Sequence, residues 1–190
     1  MKRFILAIAA CAAVSLSSLS PAHADGAGVD TIPEVLIEDL QQELGLKDFQ
    51  AAAIAGNLAQ ETGNFTMLHQ IRGPGRGYSQ WSGSRRTEFQ NFADDTLSYE
   101  DNRDFLIYEL TGPYAKVLTR LKATKTTEQA AQVFMKQFLR PNPRHANLPR
   151  RMRFAGAYMA GNFSGAGCID HVHLGGGRIA ECERIVRVGS

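Results

Sequence analysis

The amino-acid sequence predicts an α+β fold, mainly α, and three patterns carry that prediction. Six stretches place apolar or small residues at three- and four-residue spacing between capping residues and glycine or proline stops, as amphipathic helices do. A segment from Gly63 to Gly83, broken by Gly73, Pro74, Gly75 and Gly77, interrupts the helices with irregular chain or a small hairpin. The tail alternates around Gly175, Gly176 and Gly177, a β-hairpin pattern. With 190 residues and 44% hydrophobic content, the chain can bury one sizeable core and shows no collagenous, coiled-coil or disordered bias.

Residues 1–24 read as an export leader: Met1-Lys2-Arg3 is a positive start, an apolar run follows, and Ala22-His23-Ala24 is a small-x-small cleavage site. The apolar run is shorter than the roughly 20 residues a spanning helix needs. The mature chain is therefore expected to start at Asp25, outside the cytoplasm, with no transmembrane segment. Its first helix, 33–44, opens on Thr31 and Glu34 in capping-box spacing and stops at Gly45. Asp48 is expected to cap the second, 49–61, whose small residues at Ala52, Ala53, Gly56 and Ala59 imply close packing before Gly63 stops it. After the glycine-rich segment, Ser84 is expected to cap 85–93, Ser98 with Asp101 to cap 99–110, and Thr126 with Gln129 to cap 127–139, which Pro141 ends. Pro149 leads into the last helix, 150–161.

The leader holds Lys2 and Arg3 and no acid, so the totals of 21 basic and 19 acidic residues become 19 of each in the mature chain. That balance gives no reason to invoke nucleic acid. Cys168 and Cys182 are the mature cysteines, and in an exported chain an even count reads as one bridge. Their near-equal distance from the glycines places them opposite one another across the hairpin. His171 and His173 beside them raise a zinc reading, but alternation sets the histidines and Cys168 on opposite strand faces, so the disulfide is favoured and no metal is assigned. The tail is distant in sequence from the rest of the candidate site, so opening the bridge is expected to leave that site undisturbed.

Glu61 ends a tightly packed helix just before a glycine, in Gly56-Asn57-Leu58-Ala59-Gln60-Glu61-Thr62-Gly63. Carbonyls without partners and loss of water would disfavour ionisation there, as general-acid cleavage of a glycosidic bond requires. A solvated last-turn glutamate, or one paired with arginine, is the plainer reading. Asn57, one helical turn earlier, could orient the carboxyl group or simply pack. Tyr78, Gln80 and Trp81 could form a sugar platform with an amide for acetamido groups, or Trp81 could plug the core. Arg85 and Arg86 begin a helix, where a cation needs a carboxylate or a substrate. Arg150, Arg151 and Arg153 crowd another helix start, and one of them is expected to pair with Glu109 or near Glu61.

The order of these motifs, GNLAQETGNF at 56–65, GYSQWSGSRR at 77–86 and the helices that follow, resembles the phage-tail-type lysozyme domain of the lysozyme-like superfamily. The resemblance runs from residue 33 to about 160. It implies a helical body with a small β-flap, cleavage of the bond between N-acetylmuramic acid and N-acetylglucosamine in peptidoglycan, no cofactor, and Glu61 as catalytic acid. It also sets Gly77, Gln80 and Trp81 along the glycan cleft. The organisation it suggests is a leader at 1–24, a catalytic domain at 25–163 and a disulfide-linked hairpin at 164–190.

Between Glu61 and Glu88 the sequence has no acidic residue, whereas hydrolytic glycosidases normally pair two carboxyl groups. Glu88, Asp94 or Asp95 could supply the second, or a single carboxyl group could act as acid and then base, as in lytic transglycosylases. Both chemistries stay open. So does a function of another class, a non-catalytic wall-binding or assembly protein on the same scaffold; the sequence names no protein partner.

Overall fold

The structure is a computed structural model that describes residues 30–170 and 173–182, so the leader and His171 lie outside the described residues. Among the described residues, seven α-helices and one two-stranded antiparallel sheet make the expected mainly helical α+β architecture. The helices are α1 (Ile32–Leu44), α2 (Asp48–Thr62), α3 (Gly83–Phe92), α4 (Tyr99–Thr111), α5 (Ala115–Ala123), α6 (Thr127–Phe134) and α7 (Leu148–Met159). Among the described residues, no helix is long and apolar enough to cross a membrane.

Helix α2 is the axis of the molecule. Its small residues are buried from Ala51 to Ala59, and α1, α6 and α7 pack around it. At its crossing with α7, a Cβ on Gly56 would lie 2.6 Å from the Arg151 carbonyl oxygen and 2.7 Å from the Ala155 nitrogen. Only glycine admits that approach, and the approach brings Arg151 alongside the last turns of α2.

Some helix starts follow the expected chemistry and others do not. Ser98 Oγ accepts from the Asp101 amide at 3.1 Å, and Thr126 Oγ1 accepts from the Gln129 amide at 3.2 Å. In α1, Thr31 caps no backbone amide; its hydroxyl donates to the Glu34 carboxylate at 3.4 Å. In α2, Asp48 is the first helical residue, and Gln50 Oε1 accepts from the Lys47 amide at 2.9 Å instead. Helix α3 starts earlier than expected, with Ser82 rather than Ser84 at its cap position. The stretch expected as a single helix over 127–139 changes to a π-helical turn at Met135–Leu139, where the Arg140 amide reaches the Met135 carbonyl at 2.8 Å.

The flap and the tail are joined. Backbone bridges link His69 with Arg76, Arg76 with Trp81, and Met67 with Arg178 of the tail. The tail hairpin pairs β1 (His173–Gly175) with β2 (Arg178–Ile179) and turns at Gly176-Gly177. Cys168 and Cys182 form the expected disulfide, with Cα atoms 5.1 Å apart. The Leu68 amide donates to the Gly177 carbonyl at 2.8 Å, and the Ile179 amide to the Thr66 carbonyl at 3.0 Å. At the other edge, the Ile32 amide donates to the Gly167 carbonyl at 2.8 Å. The tail is thus sewn to both the flap and the start of α1, a closeness that distance along the sequence conceals.

Candidate active site

Glu61 lies in the last turn of α2, with its side chain 21% exposed. Below it, Thr62 ends the helix: its hydroxyl donates back to the Leu58 carbonyl at 2.7 Å and accepts from the Phe65 amide at 2.9 Å. The guanidinium of Arg151, only 1% exposed, occupies the other side. Its Nη2 donates to Glu61 Oε1 at 2.6 Å, its Nη1 to the Asn57 carbonyl at 3.0 Å and to Asn57 Oδ1 at 3.3 Å, and its Nε to the Ala146 carbonyl at 2.6 Å. Asn57 is fixed in turn by donating to the Ala53 and Ala131 carbonyls. Asn57 therefore reaches Glu61 through Arg151 and is buried away from any ligand.

This arrangement replaces the expected dry helix end. A cation, rather than bare carbonyls, sits against the carboxylate, which is the arginine-paired alternative. The other carboxyl oxygen, Oε2, takes no hydrogen bond from the described residues.

Glu61 opens onto a cleft of about 460 Å³. Gln70, Pro74, Ser79, Gln80 and Ser82 of the flap form one wall, and Leu139, Arg140, Pro141, Asn142 and His145 form the other. Glu61 is the one carboxylate among these lining residues. Glu88, Asp94 and Asp95 are exposed elsewhere, on α3 and the loop behind it. Gln80 holds its place with a backbone φ of 47°, its amide nitrogen donating to the Met67 and Gly77 carbonyls at 3.2 and 3.0 Å.

The other residues expected at the cleft support it from behind. Trp81 is 1% exposed; its indole donates to Glu109 Oε2 at 2.7 Å, and its ring packs on Phe89 and Phe105. Tyr78 is buried edge-on to Phe65, and burial pushes its hydroxyl well above the ordinary tyrosine range. Both rings serve the core, so neither makes a sugar platform. Gly77, at φ 65°, turns the flap where a Cβ would meet Asn102 Oδ1 at 2.4 Å and the Trp81 ring at 2.5 Å. Arg85 finds the carboxylate its helix start called for: Nε and Nη2 fork onto Glu109 at 2.6 and 2.7 Å, and the guanidinium lies over the Tyr114 and Phe138 rings.

Of the three arginines expected to pair with Glu109 or near Glu61, it is Arg151 that meets Glu61; the wall at residues 139–145 is a part of the cleft that sequence does not signal. The run Arg140-Pro141-Asn142-Pro143-Arg144-His145 signals a broken helix, but which side of the molecule it faces depends on the π-helical turn before it. In the tail, the disulfide takes both cysteines, so the zinc reading loses its sulfur ligands. A family model described as phage tail lysozyme matches residues 36–160. No curated protein and no solved structure matches the chain.

Proposed function

The chain belongs to the phage tail lysozyme family, and on that premise we propose that it cleaves peptidoglycan glycan strands between N-acetylmuramic acid and N-acetylglucosamine with Glu61 as its one reacting carboxyl group. The observation that carries the proposal is that the cleft holds Glu61 and no second carboxylate among its lining residues.

In this reading Glu61 gives its proton to the glycosidic oxygen as that oxygen's bond to C1 of the N-acetylmuramic acid residue breaks. The 6-hydroxyl of the same sugar then attacks C1 and closes a 1,6-anhydro ring, returning its proton to Glu61. No water is consumed and no second carboxylate is needed. Arg151 stabilises the carboxylate that exists between the two proton transfers, and its three anchors hold the group in place. Gln80 presents an amide to the sugar substituents. The active chain is proposed to begin near Asp25 after export, with residues 1–24 removed as leader, 25–163 as the catalytic domain and 164–190 as its tail.

A gel cast with cell walls tests the reading. Wild-type protein clears it, and Glu61→Gln loses on the order of a hundredfold or more while still binding walls. Muropeptides in the digest carry 1,6-anhydro ends, and amide substitutions at Glu88, Asp94 or Asp95 cost little. Reducing ends together with a severe loss at one of those three would establish a paired-carboxylate hydrolase instead. A second reading, a wall-binding or assembly module, draws on the engagement of Glu61 by Arg151; binding without clearing by the wild type would establish it.

A further inference from the structure

We infer that Ser79 is a substrate-binding residue of this cleft, whose hydroxyl hydrogen-bonds the acetamido group of the sugar next to Glu61. The inference rests on the proposed reading of the cleft as a glycan site. Ser79 lines the same cleft as Glu61 and is 8% exposed, yet its Oγ is buried with no hydrogen-bond partner among the described residues. Leaving a buried hydroxyl unpaired is unfavourable, and such groups are few in folded proteins, so one lining the same cleft as a candidate catalytic carboxylate calls for a reason.

The flap gives Ser79 no means of escape. Tyr78 on one side and Trp81 two residues on are both fixed in the core. The Tyr78 amide donates to Asn102 Oδ1 at 3.0 Å, and the Gln80 amide to the Gly77 carbonyl at 3.1 Å, so the turn is closed around Ser79. The hydroxyls of Thr62, Ser98, Thr124 and Thr126, by contrast, all bond within the protein. Among the described residues, the remaining buried side-chain polar atoms without partners, on Gln60, His69, Tyr78 and Arg86, belong to residues outside the cleft lining.

The chemistry beside Ser79 selects the ligand group. Gln80 uses its amide nitrogen on the flap backbone, which leaves its carbonyl oxygen as an acceptor. A hydroxyl donor next to an amide acceptor matches the carbonyl and N–H of a secondary amide, the group that distinguishes an N-acetyl sugar from a plain hexose. A site built to hydrogen-bond such a group also discriminates strongly against substrates lacking it.

The test compares wild type with Ser79→Ala on N-acetylated walls and on the same walls after chemical de-N-acetylation, with thermal unfolding measured alongside. We expect the variant to melt at or above the wild-type temperature, because an unpaired buried hydroxyl is removed. Its kcat/KM on N-acetylated walls is expected to fall about ten- to a hundredfold, and the difference to vanish on de-N-acetylated walls. Wild-type kcat/KM in the variant overturns the inference. So does an equal loss on both walls, or a loss accompanied by a lowered melting temperature, which would make Ser79 a packing residue. If the wild type clears no walls, the proposed function fails separately. Retention on N-acetylated walls then decides: weaker retention of Ser79→Ala supports the contact, and equal retention refutes it.

Discussion

Arg151 ties three parts of the site into one unit, because a single guanidinium donates to Ala146 just after the far wall, to Asn57 in α2 and to Glu61 itself. Replacing it by methionine keeps much of the volume but leaves those acceptors unpaired beside a carboxylate. We expect Arg151→Met to destabilise the fold by about 2–4 kcal/mol, below the full figure for a buried pair because Glu61 is partly exposed. Lysine should recover little, since one ammonium cannot span the same fork. Glu61→Gln should stay within about 1 kcal/mol of wild type, because the amide oxygen still accepts from Arg151. Urea unfolding of the three variants checks the order. At this scale the place of Glu61 at the end of a tight helix was legible from its motif, and so was an arginine of 150–153 near Glu61 or Glu109; which arginine and which carboxylate were not, since 90 residues separate Glu61 from Arg151. Trp81 and Tyr78 were ambiguous for a different reason: an aromatic residue in a glycine-rich segment reads the same whether it faces a groove or the core. Trp81 is drawn inward by a buried acceptor, Glu109, which is remote in sequence.

Helices with strong caps and a broad apolar face could be read directly, whereas α5 could not, because it follows Gly112-Pro113 and buries only Val117 and Leu121. The flap was seen as a break in helical pattern, and its pairing with the tail was hidden because isolated bridges carry no periodic signal. That seam has a testable sensitivity to acid. A Cβ on Gly177 would lie 2.1 Å from His69 Cγ, so the imidazole sits directly on the tail turn. Burial first, and the charge of Arg76 second, lower the His69 pKa from its ordinary value. The folded state therefore favours the neutral ring. This contribution is fully present above the unfolded histidine value of about 6.5 and is lost as pH falls from there through the lowered folded value. We expect the protection factor of the Leu68 amide, bonded to Gly177, to fall between pH 7 and pH 5 in wild type and to change less in His69→Gln. Equal changes in both would remove His69 from the seam.

On the scale of the whole molecule, a helical body with α2 at its centre holds Glu61, while the cleft's opposite wall belongs to a flap whose outer edge is the tail. The helical body was legible because α2 carries its small-residue face in sequence; the closure of the flap was not, because it depends on backbone pairing between Thr66–Leu68 and Gly177–Ile179. The expectation that opening the disulfide would spare the site rested on sequence distance, and this pairing reverses it. Cys168 and Cys182 close a loop with a sequence separation of 14, for which chain entropy gives roughly 3 kcal/mol as an upper figure. Without the bridge, the hairpin loses its clamp next to the Ile32–Gly167 bond at one end and the flap bonds at the other. The change should travel from Gly177 to Leu68, on to Gly77 through the Gly77 amide's bond to the Leu68 carbonyl at 2.7 Å, and so to Ser79 and Gln80. We expect Cys168→Ser/Cys182→Ser, or reduced and alkylated protein, to lose amide protection at Leu68, Gly77 and Ile179 while α2 and α7 keep theirs. Wall cleavage should fall several-fold, mainly through KM, because the carboxylate and Arg151 stay in place while the facing wall loosens. Unchanged protection at Leu68 and Gly77 would show that the flap is held by Asn102 and the core aromatics alone, and that the tail is an ornament on the helical body.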